Sequence, residues 1–222
     1  MKKIWMLVLV MSIGYLSCLG QKSKKTLHVQ RARYVVEMSN DSIARRLSLD
    51  KLKHLAEEGN RYAYNALGLI YLKGAKIPRD TLYALDMFQR AAALGLGDAM
   101  CNVGKLYREG KGGVQKNLKK TYAYYKMGSE TGHHLSIYSL ARCYYLGEGV
   151  SQDYKEAYRL YKEASEFNIQ TALFKIGTLT YKGRGVAQDK EKGLEIIKEV
   201  YEQGYVKAEV FFNSNNIPYN KR

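Results

Sequence analysis

A chain of 222 residues, 46% hydrophobic and 26% charged, has a globular composition, and its 3 cysteines exclude a disulfide framework. Only 2 prolines against 20 glycines suit a mostly helical chain in which glycine marks regular stops. The formal net charge of +15 resembles a nucleic-acid signal, yet Lys2, Lys3, Lys22, Lys24, Lys25, Arg31 and Arg33 all precede the first acid, Glu37, so nearly half of the excess lies in the first 36 residues.

Residues 1–20 read as a secretory signal peptide: "MKK" is a charged start, "IWMLVLVMSIGYL" an apolar run of 13, and "SCLGQ" a small-residue stretch. The run is short for a membrane span. Two processing patterns fit. Cleavage after Gly20 would use the small residues Cys18 and Gly20; lipidation of Cys18 would use "YLSC", which resembles a bacterial lipobox at Ser17 but not at Tyr15 and Leu16. An uncleaved anchor is the third reading. All place the rest of the chain outside the cytoplasm, in the periplasm or lipid-anchored at the outer membrane of a bacterium. Residues 21–27 then form a basic flexible arm.

The remainder is periodic. Gly68, Gly104, Ala141 and Gly177 are spaced by 36, 37 and 36 residues, and Tyr71, Tyr107, Tyr144 and Thr180 keep the same step. So do Gly74, Gly110, Gly147 and Gly183, and then Asp80, Asn117, Asp153 and Asp189. A large residue recurs at Phe88, Tyr125, Tyr161 and Ile197, and Gly95, Gly132, Asn168 and Gly204 close each unit. So many columns in phase define a tandem array: a degenerate helical repeat over 28–60, repeats over 61–97, 98–134, 135–170 and 171–206, and a capping helix with tail over 207–222. Leu52 and Gly59 keep phase with Phe88 and Gly95, and Ala32 falls in the small column of the degenerate unit.

Each column has a local reason. Apolar residues from Ala63 to Leu72 recur at helical spacing and define helix A. Gly74 and its equivalents stand where a left-handed residue ends that helix. Val114, Val150, Val186 and Ile77 tuck an apolar side chain under the turn. Asp80, Asn117, Asp153 and Asp189 are N-caps for helix B, and Asp153 with Glu156 suggests a capping box. Asn168 replaces glycine at the end of one B helix because asparagine tolerates the left-handed region. The small column of helix A faces the large column of helix B. Cys101 and Cys143 lie about five residues out of step, too far apart to bridge, and read as small apolar side chains.

"ALGLIYLKG", "NVGKLYREG", "LARCYYLGEGV" and "KIGTLTYKGRGV" resemble Sel1-like repeats, relatives of the tetratricopeptide repeat. The resemblance covers residues 61–206 well and 28–60 weakly. Ala141, Thr180 and Gly193 depart from the pattern, and the first full unit lacks the second glycine. The resemblance implies an all-α fold, a right-handed superhelical solenoid of antiparallel helix pairs, that binds other proteins and is often exported in bacteria.

Chemistry is sparse. "REGKGGV" lacks the Gly-Lys-Ser/Thr ending of a nucleotide loop, adjacent His133 and His134 point apart and read as an exposed helix end, and no nucleophile has a positioned base. We expect no enzyme, no cofactor and no metal. The face of helix A opposite the Gly/Tyr columns carries Asn102, Lys105 and Arg108, then Ser139, Arg142 and Tyr145, then Lys175, Thr178 and Tyr181; the first unit offers Ala66, Leu69 and Leu72. In solenoids of paired helices this face lines the concave side. Tyrosine and arginine are favoured interface anchors, and an acidic protein or peptide segment suits the stripe. The plain alternative is a solvated helix face. Two functions follow: a non-enzymatic adaptor that binds a protein through this face, or an envelope binder of anionic polymer, cell-wall glycan or lipid headgroups, through the basic surface. Contact with membrane is expected only through the signal or lipid anchor, and export makes nucleic acid the outsider.

Overall fold

The computed structural model describes residues 26–219; the expectations on residues 1–20 and Cys18 lie outside them. Among the described residues there are eleven helices and no strand. Helix α1 spans 26–38 and so includes two residues of the basic arm. It is followed by α2 (Ser42–Glu57), α3 (Arg61–Lys73), α4 (Thr81–Ala93), α5 (Gly97–Glu109) and α6 (Leu118–Glu130). The series continues with α7 (His134–Leu146), α8 (Tyr154–Ser165), α9 (Gln170–Lys182), α10 (Lys190–Glu202) and α11 (Val206–Ser214). The fold is an all-α solenoid of helix pairs, in two compact units that divide between Gly95 and Leu96.

In the first unit, α1 to α4 share one core: Val29, Ala32 and Val36 meet Leu49, Leu52 and Ala56, then Ala63, Leu67 and Ile70. A Cβ on Gly68 would lie 2.6 Å from the Phe88 ring, so α3 approaches α4 at glycine distance. Glu37 ties α1 to α3, accepting from Arg33 at 2.6 Å and Lys73 at 2.9 Å. Burial alone would raise this carboxyl, but the two cations outweigh it and hold it below the usual range.

In the second unit the small column again faces the large one: a Cβ on Gly104 would meet Tyr125 at 2.6 Å, and one on Gly177 would meet Ile197 at 2.8 Å. Gly110, Gly147 and Gly183 are left-handed C-caps, and Gly132, Asn168 and Gly204 also have positive φ. Asn117, Asp153 and Asp189 cap α6, α8 and α10 through their side chains. The capping box does not form. Asp153 accepts from the Lys155 and Glu156 amides, but Glu156 is held by Arg159, and the Asp153 N–H donates to the Tyr144 carbonyl at 3.0 Å. Asn117 and Asp189 make the same link to Tyr107 and Thr180, as Asp80 does to Tyr71 in the first unit, so each helix B is stitched to the end of its own helix A.

The second glycine of Gly-x-Gly serves a different contact. A Cβ on Gly149 would collide with the Leu118 carbonyl, and one on Gly185 with the Tyr154 carbonyl. Each glycine thus lets a turn lie against the start of the preceding helix B. In the first unit Lys76 takes this position and donates to Asn40 at 2.9 Å.

The array ends on α11, whose Ala208, Phe211 and Phe212 pack with Val200 and Ile197 of α10. The tail is less open than its polar composition suggests. Tyr219 stacks on Phe212 at 5.0 Å, meets Tyr201 edge-on at 5.2 Å and donates to Asn213 at 3.0 Å. It covers α11 where another unit would place a helix B.

Candidate partner-binding face

The expected stripe runs along α5, α7 and α9 of the second unit. On α5, Lys105 is exposed, and Asn102 and Arg108 are half-buried. On α7, Ser139 turns back to the Leu135 carbonyl at 2.7 Å. Arg142 is held through one nitrogen by both carboxylate oxygens of Glu148, at 3.1 and 3.0 Å, which fixes its guanidinium at the end of the helix. Tyr145 lies edge-on to Tyr154 and Tyr161, with ring centroids 5.6 and 6.3 Å apart. On α9, Thr178 donates to the Lys175 carbonyl at 3.0 Å, and Tyr181 packs edge-on against Phe211 at 5.4 Å.

Two predicted residues from neighbouring repeats meet directly. The Lys175 ammonium lies 4.4 Å from the centre of the Tyr145 ring, a cation–π contact that joins α9 to α7. Burial lowers the Lys175 pKa, and Lys207, Lys182 and Arg142, all cations, lower it further. The stripe is therefore a place where positive charge gathers on partly dehydrated side chains. Tyr145 and Tyr181 belong to the packing between helices as much as to the surface. In the first unit Ala66 is core, 3% exposed, and is not available as surface.

Two residues of this region, Glu148 and Tyr138, escape the sequence reading, and a third, Tyr161, is read there only for its size. Glu148, the partner of Arg142, stands between the two glycines of its turn, at a position that Ala75, Lys111 and Arg184 hold in the other units. Tyr138 is half-buried beside Tyr161, with centroids 5.7 Å apart. Tyr161 is fully buried, and its hydroxyl has no hydrogen-bond partner. Its column signals only that a large residue is needed; a tyrosine where Phe88 and Ile197 stand elsewhere is the available hint.

The histidine pair does stand at a helix end and His134 is exposed, but the two rings do not point apart: their centroids are 5.2 Å from each other, and His133 is largely buried. His133 is the N-cap of α7, its side chain 12% exposed, with Nδ1 2.9 Å from Ser136 Oγ and Nε2 3.3 Å from the Asp98 carboxylate. The hydrogen bond with His133 holds the Asp98 carboxyl below its ordinary range, against the opposing effect of burial. His134 stacks on Phe167 at 5.5 Å. Cys101 and Cys143 are unpaired thiols, and burial pushes Cys143 up to about 12.

A family model described as Sel1 repeat matches residues 61–96, 97–133, 134–166 and 170–205. Among solved structures, the chain is similar to a protective antigen of uropathogenic Escherichia coli strains that displays an SLR fold, with 25% identity and a TM-score of 0.74 over 87% of this chain. It spans 42% of that protein's length. It is also similar to a Sel1 repeat protein from Oxalobacter formigenes, with 25% identity and a TM-score of 0.69, covering 80% of this chain and 72% of that one. No curated protein matches.

Proposed function

The chain belongs to the Sel1 repeat family, a class of protein-interaction scaffolds, and on that premise we propose that it is a non-enzymatic adaptor of the bacterial envelope that binds an acidic segment of a partner protein along α5, α7 and α9. The observation that carries this reading is Lys175: half-buried over Tyr145 and acted on by Lys207, Lys182 and Arg142, it gathers cations where a carboxylate would relieve them. Arg108 extends the positive character along α5, while Arg142 is already paired with Glu148. Tyr145 and Tyr138 supply rigid aromatic area, which costs little entropy when a partner docks. The charged start, apolar run and small-residue stretch of residues 1–20 support export, by cleavage after Gly20 or lipidation of Cys18.

The test is crosslinking capture from the native envelope by the parent chain and by a triple variant, Arg108→Glu, Arg142→Glu and Lys175→Glu, with thermal melting to show that the variant is folded. The expected result is one protein captured by the parent and lost in the variant, with its crosslinks mapping to an acidic segment. Equal capture by both removes the face from the reading. Salt-sensitive retention of glycan alone, without a protein, would favour the anionic-polymer function instead.

A further inference from the structure

Among the described residues, one face of the first helix pair is uncovered. Leu27, Arg31, Tyr34 and Met38 recur at helical spacing along α1, forming a single stripe, and Leu27, Tyr34 and Met38 are 45%, 66% and 58% exposed. The repeat register explains why. Thirty-six residues after Leu27, Arg31 and Tyr34 stand Ala63, Leu67 and Ile70, which are buried against α1 and α2. The corresponding residues of α7 and α9, Ser136, Leu140 and Cys143, then Ala172, Ile176 and Leu179, are buried too. Among the described residues, no helix pair precedes α1 to cover the same columns.

Helix α2 extends the surface. Ile43 and Leu47 are 69% and 65% exposed, one helical turn apart. Leu47 corresponds to Glu156 and Arg31 to Leu140. Glu156 and Leu140 border one open groove of about 350 Å³ among α6, α7 and α8. By register, Leu47 and Arg31 occupy equivalent places on one surface.

The charge of this surface selects its occupant. The one acid of α1, Glu37, is already engaged by Arg33 and Lys73. Arg31 stands inside the stripe, and Lys22, Lys24 and Lys25 precede its foot in the sequence. Around Leu47, Arg46 and Lys51 outnumber Asp50. A second copy of the chain is a poorer match. The exposed apolar residues of α11, Val206 and Val210, flank another cation, Lys207, and the tail covers part of that helix. No helix among the described residues is long and apolar enough to cross a membrane. An apolar stripe edged with basic residues fits the surface of an anionic bilayer, with the arginine stem lying along the acyl boundary and its head among phosphates.

We propose that the outer face of α1 and α2, formed by Leu27, Arg31, Tyr34, Met38, Ile43 and Leu47, is a contact surface for anionic lipid. It lies at the end of the array where any lipid or apolar anchor of residues 1–20 would hold the chain. The site is separate from the protein-binding stripe and stands or falls without it.

The experiment uses the full chain carrying Trp5→Phe, which removes its single native tryptophan, with one reporter: Tyr34→Trp or Leu47→Trp on the face, or Leu82→Trp at an exposed position of α4. Each is mixed with vesicles of equal parts phosphatidylglycerol and phosphatidylcholine bearing brominated acyl chains. The expected result is quenching of the residue-34 and residue-47 reporters several-fold stronger than of the residue-82 reporter. That quenching should weaken with salt and on adding Arg31→Glu. Equal quenching at all three positions would overturn the proposal. So would a response unchanged by phosphatidylcholine alone or by Arg31→Glu, because the apolar leader would then be the whole cause. Protection of the residue-34 reporter that grows with protein concentration in the absence of vesicles would assign the face to a second copy and also overturn it.

Discussion

Tyr161 brings a hydroxyl into a fully buried site among Tyr138, Tyr145, Arg142 and Cys143, and leaves it without a partner. A buried polar group in this state loses its water without compensation, at a cost of about 1–3 kcal/mol. Tyr161→Phe keeps the ring and removes the orphan, so the urea midpoint should hold or rise by about 1 kcal/mol of stability. A clear fall would mean that the hydroxyl has a partner in solution. Gly177→Leu presses on the opposite constraint. Even a Cβ there would meet Ile197 at 2.8 Å and the Gly193 carbonyl at 3.1 Å, so the larger side chain should cost about 1–3 kcal/mol or more and lower the melting midpoint. Titration gives a third residue-scale expectation. Burial pushes Tyr125 and Cys143 up to about 12, and the hydrogen bond with Tyr122 together with burial does the same for Tyr144. Folded pKa values raised above unfolded ones give stability that is present below the unfolded values, about 8.5 for a thiol and about 10 for a phenol, and is lost as pH climbs through the folded values. Urea midpoints should therefore fall between about pH 9 and about pH 12, and Cys143→Ala should make the early part of that fall shallower.

At the scale of the element, the caps were legible because their chemistry is local. An aspartate or asparagine ahead of a helical pattern and a glycine behind one state their roles within four residues, and Asp80, Asn117, Asp153 and Asp189 all cap as expected. Asp189→Ala should cost about 1 kcal/mol, read as a lower melting midpoint with unchanged helix content at low temperature. What sequence could not supply was the use of the second glycine, since its contact lies 31 residues back, at Leu118 for Gly149 and at Tyr154 for Gly185. Gly185→Ala and Gly204→Ala separate the two causes. Both residues are left-handed, at φ +74° and +89°, but a Cβ on Gly204 meets nothing within 4 Å. Gly204→Ala should cost only the left-handed penalty of about 1–2 kcal/mol, and Gly185→Ala distinctly more. The capping box failed for a related reason: the Asp153 N–H was already committed to Tyr144, a tertiary link that no four-residue window contains.

For the molecule as a whole, the array was legible and its ends were not. The register located the helix pairs, because the same spacing repeats in every unit. It could not show that Glu148 restrains Arg142, that Lys175 reaches Tyr145 in the neighbouring repeat, or that Tyr219 folds back over Phe212. Each of these is a single event outside the columns. Removing residues 217–222 should strip that cover, and amide exchange in α10 and α11 should accelerate while α7 and α8 stay protected, since each pair depends mainly on its neighbours.

The stitch from each cap amide to the carbonyl of its own helix A makes a unit of 36 or 37 residues that carries its own punctuation. Such a unit is also a unit of heredity. Duplicating or deleting it in frame leaves every cap, turn and seam with a partner and changes the stripe by one step. A lineage can therefore adjust the reach and valency of the proposed binding face in whole numbers, and the single extra residue in "REGKGGV" marks where the unit's length has changed.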